Sequence, residues 1–340
     1  MATNSFPDFD DLPKVEGQPQ GCAWGVFDKD GKKDVFGTLN FLTPEIVAAA
    51  SKEVKDGISI SLNWPLNGIK IPFPNRKPPV HTPHRLRDIG IDYEGWDDEL
   101  AINTQFSSQW DSLLHVTTDG LAYNGFQPTV EGLSVQSTAE NPLPTIEHWH
   151  SRGALAGRGV LIDWKAYQEQ TTGTPYHPLD GHRITVEDIE KVAAFQGVEF
   201  KPGDILIVRT GYTEVLEDPK PEDMAKFAKF GGGLVIPGVH GSEETARWLW
   251  NRRFAAVAGD AHAFEAVPGL KPDGTQLPLS ELVLHPWLLT QFGMSIGELW
   301  DLKAVAAYAK KTGRYSFLLT SAPLNHPGLV ASPPNAIALF

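Results

Sequence analysis

Hydrophobic and polar positions switch between two periods along this chain. The stretch EIVAAASKEV (45–54) repeats its apolar residues at helical spacing behind Thr43 and Pro44, and Gly57 closes it. Thr43 can cap such a helix, and Pro44 suits its first turn. ISISLNW (58–64) alternates as a strand does. GVLIDW (159–164), PGDILIVRTG (202–211), FAAVAGD (254–260) and a final YSFLLTSAPL (315–324) read as further strands. Between them, Thr185 and Asp188 form a capping-box pattern for a helix ending near Gly197. Ser242 caps SEETARWLWNRR, PWLLTQF (286–292) is a short helix stopped by Gly293, and Asp301 caps DLKAVAAYAKK. Strands alternating with helices predict an α/β fold, a mixed β-sheet flanked by helices. Residues 1–35 read as an irregular arm, and the Pro-rich stretch 65–100 as an excursion over the surface or over a site. No repeat or linker divides the chain, so 1–340 is expected to form a single domain.

Composition narrows the partners. With 340 residues, 41% hydrophobic and 21% charged, the chain has ample core and the balance of a globular protein. Its formal charge of −13 and lack of a basic stripe argue against nucleic acid and anionic membrane. Cys22 is the only cysteine, so no intrachain disulfide forms. The acidic start MATNSFPDFDDLP has no signal-like apolar run, and a cytoplasmic protein is the expectation.

Few motifs carry chemistry. Gly293-Met294-Ser295-Ile296-Gly297 matches GxSxG, but a nucleophile elbow needs a strand before the serine and a helix after it. Here a helix comes before, so the glycines read as shaping a loop. Gly231-Gly232-Gly233 lacks the Lys-Ser/Thr of a phosphate loop. The remaining constellation is Asp111 and His115, then Asp260, His262 and Glu265, then His285 and Glu298. Asp, His and Glu are the donor set of Zn²⁺ or Mn²⁺, though Asp260 can equally cap a turn and His285 can be structural.

Several segments in order resemble the cyclase family of metal-dependent hydrolases, which includes bacterial kynurenine formamidase and isatin hydrolase. They are FGTLNFLTPEIVAAASKEVKDGISISLNWPL, GRGVLIDW, ITVEDIEKVAAFQGVEFKPGDILIVRTGY, PGVHGSEETARWL, VAGDAHAFE, LHPWLLTQFGMSIGELWDL and LLTSAPLNHPGLVASPPNAIA. The family signature HxGTHxDxPxH falls on QFSSQWDSLLH. Asp111 then takes the metal-binding Asp position and His115 the acid/base position. Gln105 and Gln109 stand where the two ligand histidines would be, and His285 and Glu298 match the downstream ligands.

The resemblance implies the swivelling β/β/α fold and a homodimer or homotetramer. It also implies hydrolysis of an amide, lactam or lactone bond of a small substrate, and the abundance of tryptophan (Trp64, Trp110, Trp287, Trp300) with Tyr123 suits a flat or aromatic one. One divalent metal ion, Zn²⁺ or Mn²⁺, is expected on Asp111, His285 and Glu298, with Gln109 as a further oxygen donor. A Gln carbonyl is a weaker donor to Zn²⁺ than imidazole and better suited to harder cations. His115, with Asp111, is the expected catalytic pair. Gln105, Trp110, Tyr123, His262 and Trp287 are the expected substrate contacts, within a tryptophan-rich lining that includes Trp64 and Trp300. The loss of two histidines leaves two other readings: a metal-independent lyase or cyclising enzyme using His115 with Asp111 or Glu298, and a non-catalytic binding relative.

Overall fold

The structure, a computed structural model, describes residues 6–70, 73, 75–228, 235–278 and 281–340. The triglycine 231–233 lies outside them. In chain order the strands are β1 (Ser59–Ser61), β2 (Val80–Arg85), β3 (Trp96–Ala101), β4 (Gln109–Asp111), β5 (Leu155–Asp163), β6 (Arg183–Ile184) and β7 (Ile205–Arg209). There follow β8 (Gly238–Val239), β9 (Ala256–Gly259), β10 (Ile296–Glu298), β11 (Ser316–Ser321), β12 (Ala331–Ser332) and β13 (Ala336–Leu339).

Nine of these form one mixed sheet in the order β1-β13-β11-β5-β7-β9-β10-β4-β12. The middle run β5-β7-β9-β10 is parallel, and both flanks are antiparallel. Central strands such as AVAG are buried at every position because helices and loops cover both faces, so their sequences read as continuous apolar runs. β11 lies further out and alternates half-buried with buried residues. Trp250, Leu288 and Phe292 belong to the core on one face; Trp110, Trp300 and Phe317 belong to the core on the other. Gly159 makes room for the Phe317 ring, since a Cβ there would stand 2.5 Å from it.

Helix signals hold where the local chemistry is strong. Thr185 and Asp188 form the reciprocal capping box of the helix Val186–Gln196, and Gly197 ends it in the left-handed region. Ser242 accepts from Thr245 N at the start of Glu243–Asn251. Helix Pro44–Ala50 passes into a single 3₁₀ turn, Ser51–Glu53, and so ends before Gly57. PWLLTQF is a π-helix, stopped by Gly293 at φ 68°. Asp301 accepts from Lys303 N, but the helix Lys303–Thr312 starts one residue later than a direct cap would set it.

Two expectations change, and the reading of GxSxG holds. YSFLLTSAPL is not the last strand, because β12 and β13 follow it and β13 bridges β11 to β1. The excursion 65–100 contains an antiparallel ribbon, β2 with β3, whose Val80 and Trp96 are exposed. The GxSxG pentapeptide joins a helix to a strand, the reverse of an elbow, and Ser295 is buried. Gly293 instead lets two backbones meet: a Cβ on Gly37 (φ 54°) would stand 1.8 Å from the Gly293 carbonyl, which accepts from Thr38 N. Among the described residues, no helix is long and apolar enough to cross a membrane.

Candidate metal centre

The site lies where β10 pairs antiparallel with β4. Glu298 is the direct cross-strand partner of Gln109, so the two side chains share a face, and Asp111 lies two residues along on that face. His285 joins them from the residue before the π-helix. One ligand atom each from Asp111, His285 and Glu298 lies within 4.8 Å of the others, and all three residues are buried. That spread fits donors around a single cation, whose bonds to such ligands are about 2.0–2.6 Å.

Glu265 sets the orientation of His285. Its carboxylate accepts from the backbone N–H groups of Val283 (2.8 Å), Leu284 (3.0 Å) and His285 (2.9 Å), and from His285 Nδ1 (2.8 Å). Nδ1 therefore carries a proton, and Nε2 is directed to Glu298 Oε1 at 3.2 Å. Burial alone would lower the His285 pKa, but hydrogen bonds to Glu265 and Glu298 overturn that and push it up to about 10. Burial, then the charge of Asp111, raises Glu298 to about 7 despite its bond to His285. Two carboxylates crowded into a buried pocket favour any bound positive charge, a proton or a cation.

Gln105 and Gln109 weave through this group. Gln109 Nε2 donates to Glu298 Oε2 at 2.7 Å and also to Gln105 Oε1. Gln105 Nε2 donates to Asp111 Oδ1 at 2.5 Å and lies 3.2 Å from His115 Nδ1. The Asp111 carboxylate can only accept, so the Gln105 amide cannot be turned over, and His115 Nδ1 is left as an acceptor. Burial lowers the His115 pKa, against the pull of Asp111, so the ring is neutral near pH 7 with its proton on Nε2. Asp111 Oδ2 and Gln109 Oε1 are buried and have no hydrogen-bond partner. Such orphaned acceptors are costly unless something positive meets them, so the donor set fits a divalent cation.

The other sequence candidates divide. His262 lies beside the centre, stacked on Phe73 at 4.3 Å, with Nε2 3.4 Å from an Arg76 η nitrogen. Burial, helped by the charge of Arg76, pushes His262 down to about 3, so it is neutral. Trp110, expected to touch substrate, points away from the centre, because strand alternation turns it from Gln109 and Asp111. There it is fully buried against Trp149 and Trp300 and donates to Ser321 Oγ. Tyr123 is likewise core, its hydroxyl donating to Asp34 Oδ2, and Trp287 packs on Phe9 and Phe292. Trp64 and Trp300 are buried too, donating to Glu217 Oε1 and to the Gln109 carbonyl. Asp260 caps a turn, accepting from Thr210 N, Thr210 Oγ1 and Gly211 N. Arg76, which no spacing pattern singles out, donates to the Gln105 carbonyl at 2.7 Å.

Known proteins share this arrangement of segments. The Cyclase family model ("Putative cyclase") matches residues 46–266. A crystal structure of a novel cyclase is 32% identical, with TM-score 0.75, and the match covers 94% of this chain and 99% of that one. Isatin hydrolase A from Labrenzia aggregata bound to benzyl benzoate is 15% identical, with TM-score 0.55, covering 86% of this chain and 97% of its own. An isatin hydrolase bound to the product analogue thioisatinate is also 15% identical, with TM-score 0.56, covering 88% and 99%. These last two share the fold. No curated protein sequence matches the chain.

Proposed function

Because the chain belongs to the cyclase family, we propose that it is a metal-dependent hydrolase cleaving an amide, lactam or lactone bond of a small substrate. One observation carries this reading. Asp111, His285 and Glu298 converge in a buried pocket where Asp111 Oδ2 and Gln109 Oε1 lack partners. The isatin hydrolases that share the fold are hydrolases by name, which supports the reaction class.

Asp111 and Glu298 would hold the cation with carboxylate oxygens, His285 with Nε2 and Gln109 with its amide oxygen. A divalent cation there polarises an acyl carbonyl and makes a nearby water more acidic. The amide oxygen of Gln109, where the family pattern has an imidazole, tilts the preference toward a harder ion such as Mn²⁺. Glu265 keeps the proton on Nδ1 of His285, so that His285 presents Nε2 once that atom gives up its own proton.

His115 is the proton carrier. Neutral near pH 7 and oriented by Gln105, His115 would take a proton from the attacking water and, as imidazolium, pass it to the departing nitrogen or oxygen. Giving that proton up returns the ring to its neutral form, ready for the next turnover.

The test is metal analysis with turnover of a panel of cyclic amides, lactones and formamides, before and after chelation. Bound or restorable metal and chelator-sensitive activity are expected, and His115→Ala should lower kcat by about 10²–10⁴-fold with the metal retained. A protein that neither binds Mn²⁺ or Zn²⁺ nor gains activity from them would refute the metal-dependent hydrolase. Turnover that survives exhaustive chelation would favour the metal-independent acid/base enzyme instead.

A further inference from the structure

The Pro-rich segment between β1 and β2 places one cation over this acidic centre. Arg76 is half-buried, and among the described residues it forms no ion pair. One η nitrogen donates to the Gln105 carbonyl (2.7 Å) and reaches His262 Nε2 (3.4 Å). The guanidinium lies 5.2 Å from the centroid of the Phe73 ring. Its other η nitrogen and Nε have no hydrogen-bond partner among the described residues. A guanidinium presents its donors as a planar fork matched to a carboxylate, so half of this fork is unused.

Gln105, whose carbonyl Arg76 holds, donates through its side chain to Asp111 and lies 3.2 Å from His115, which places the guanidinium beside these groups. Among the described residues, no carboxylate of the centre pairs with it. The carboxylates of Asp111 and Glu298 offset a divalent cation, and Glu265 is satisfied by three backbone N–H groups and His285. His262 cannot share the positive charge, because it is buried and neutral, and it serves as an acceptor that steadies the guanidinium. Phe73, stacked on His262, adds a flat apolar wall beside the free donors.

We propose that Arg76 is a specificity-determining residue that binds a carboxylate on the substrate, held by the free half of its guanidinium fork beside the stacked Phe73 and His262 rings. The substrate class is therefore a small acid with a planar part next to its carboxylate. This rests on the hydrolase reading for the identity of the reaction but not for the binding itself. The Gln105 carbonyl ties Arg76 to the residue that orients His115, so the anchored end of the substrate is held at a set distance from the proton donor.

The test uses benzoate as a planar carboxylate and benzamide as its uncharged counterpart, titrated calorimetrically into the full-length protein, both loaded with Mn²⁺ and chelated. Wild type should bind benzoate more tightly than benzamide. Arg76→Met should lose about 10- to 100-fold in benzoate affinity while benzamide binding stays unchanged. Arg76→Lys, which keeps the charge without the fork, should fall between them and guards against misfolding as the cause. The proposal fails if benzoate does not bind, if it binds no better than benzamide, or if Arg76→Met binds it like wild type. Benzoate binding that vanishes on chelation in wild type belongs to the cation and also refutes it. A protein that takes up no metal would sink the hydrolase reading, yet the chelated series would still report on Arg76.

Discussion

Glu265 accepts four hydrogens, three from consecutive backbone N–H groups and one from His285 Nδ1. It therefore fixes both the loop that carries His285 and the ring nitrogen that faces the centre. A glutamine there would turn an NH₂ group toward donors, so Glu265→Gln should loosen His285 and lower metal affinity about 10- to 100-fold. Competition against a fluorescent chelator measures this, and an unchanged affinity would remove Glu265 from its positioning role. At this scale the sequence was partly legible. Asp111, His115, His285 and Glu298 stand out as possible donors, and the family resemblance gives them their roles. Arg76 could not be seen, because its link to the centre is a contact with Gln105 across 29 positions that no periodicity marks. Trp110 misled for a simple reason: in a three-residue strand, the residue between two site residues points the other way.

Between elements, the join of β5 to β7 depends on a buried charge. Arg158 on β5 donates to both oxygens of Asp204 (3.1 and 2.9 Å), just before β7, and also pairs with Glu53 (3.1 Å). Burial pushes Asp204 up to about 6, although Arg158 opposes it. The native state thus holds this proton more tightly than the unfolded chain does, whose Asp titrates near 3.9. Asp204 accordingly contributes most stability below about pH 4, and that contribution is lost as pH rises through about 6. Relative to Asp204→Asn, wild type should lose up to about 3 kcal/mol between pH 4 and 7, read from urea unfolding at each pH. Parallel pH curves for the two proteins would show that Asp204 does not titrate in this window. Elements with local signals were legible: the capping box at Thr185 opened a helix, and Gly197 and Gly293 each ended one where expected. The ribbon β2–β3 was hidden by prolines, one of them Pro83 within β2. β12 has two residues and β13 only four, too short for alternation to declare them.

For the molecule as a whole, the centre ties together segments that lie far apart in the chain. Asp111 sits near the free end of the sheet, on a strand held only by β10 and the two-residue β12. His285 and Glu298 flank the π-helix, which packs into the core on the opposite side from Trp110. In the unfolded chain these donors do not converge, so a cation that binds them binds the folded state and stabilises it by mass action. Mn²⁺ at about 100 times its Kd should then add about 2.7 kcal/mol, visible as a rise in Tm that chelation reverses. Asp111→Asn and Glu298→Gln remove a charged ligand each, so neither should show the rise, even if relief of carboxylate crowding makes the metal-free variants more stable than wild type. A rise of equal size in both variants would place the ion elsewhere on a surface whose net charge of −13 can hold cations loosely. Comparing the variants therefore separates a built centre from general attraction to an acidic protein.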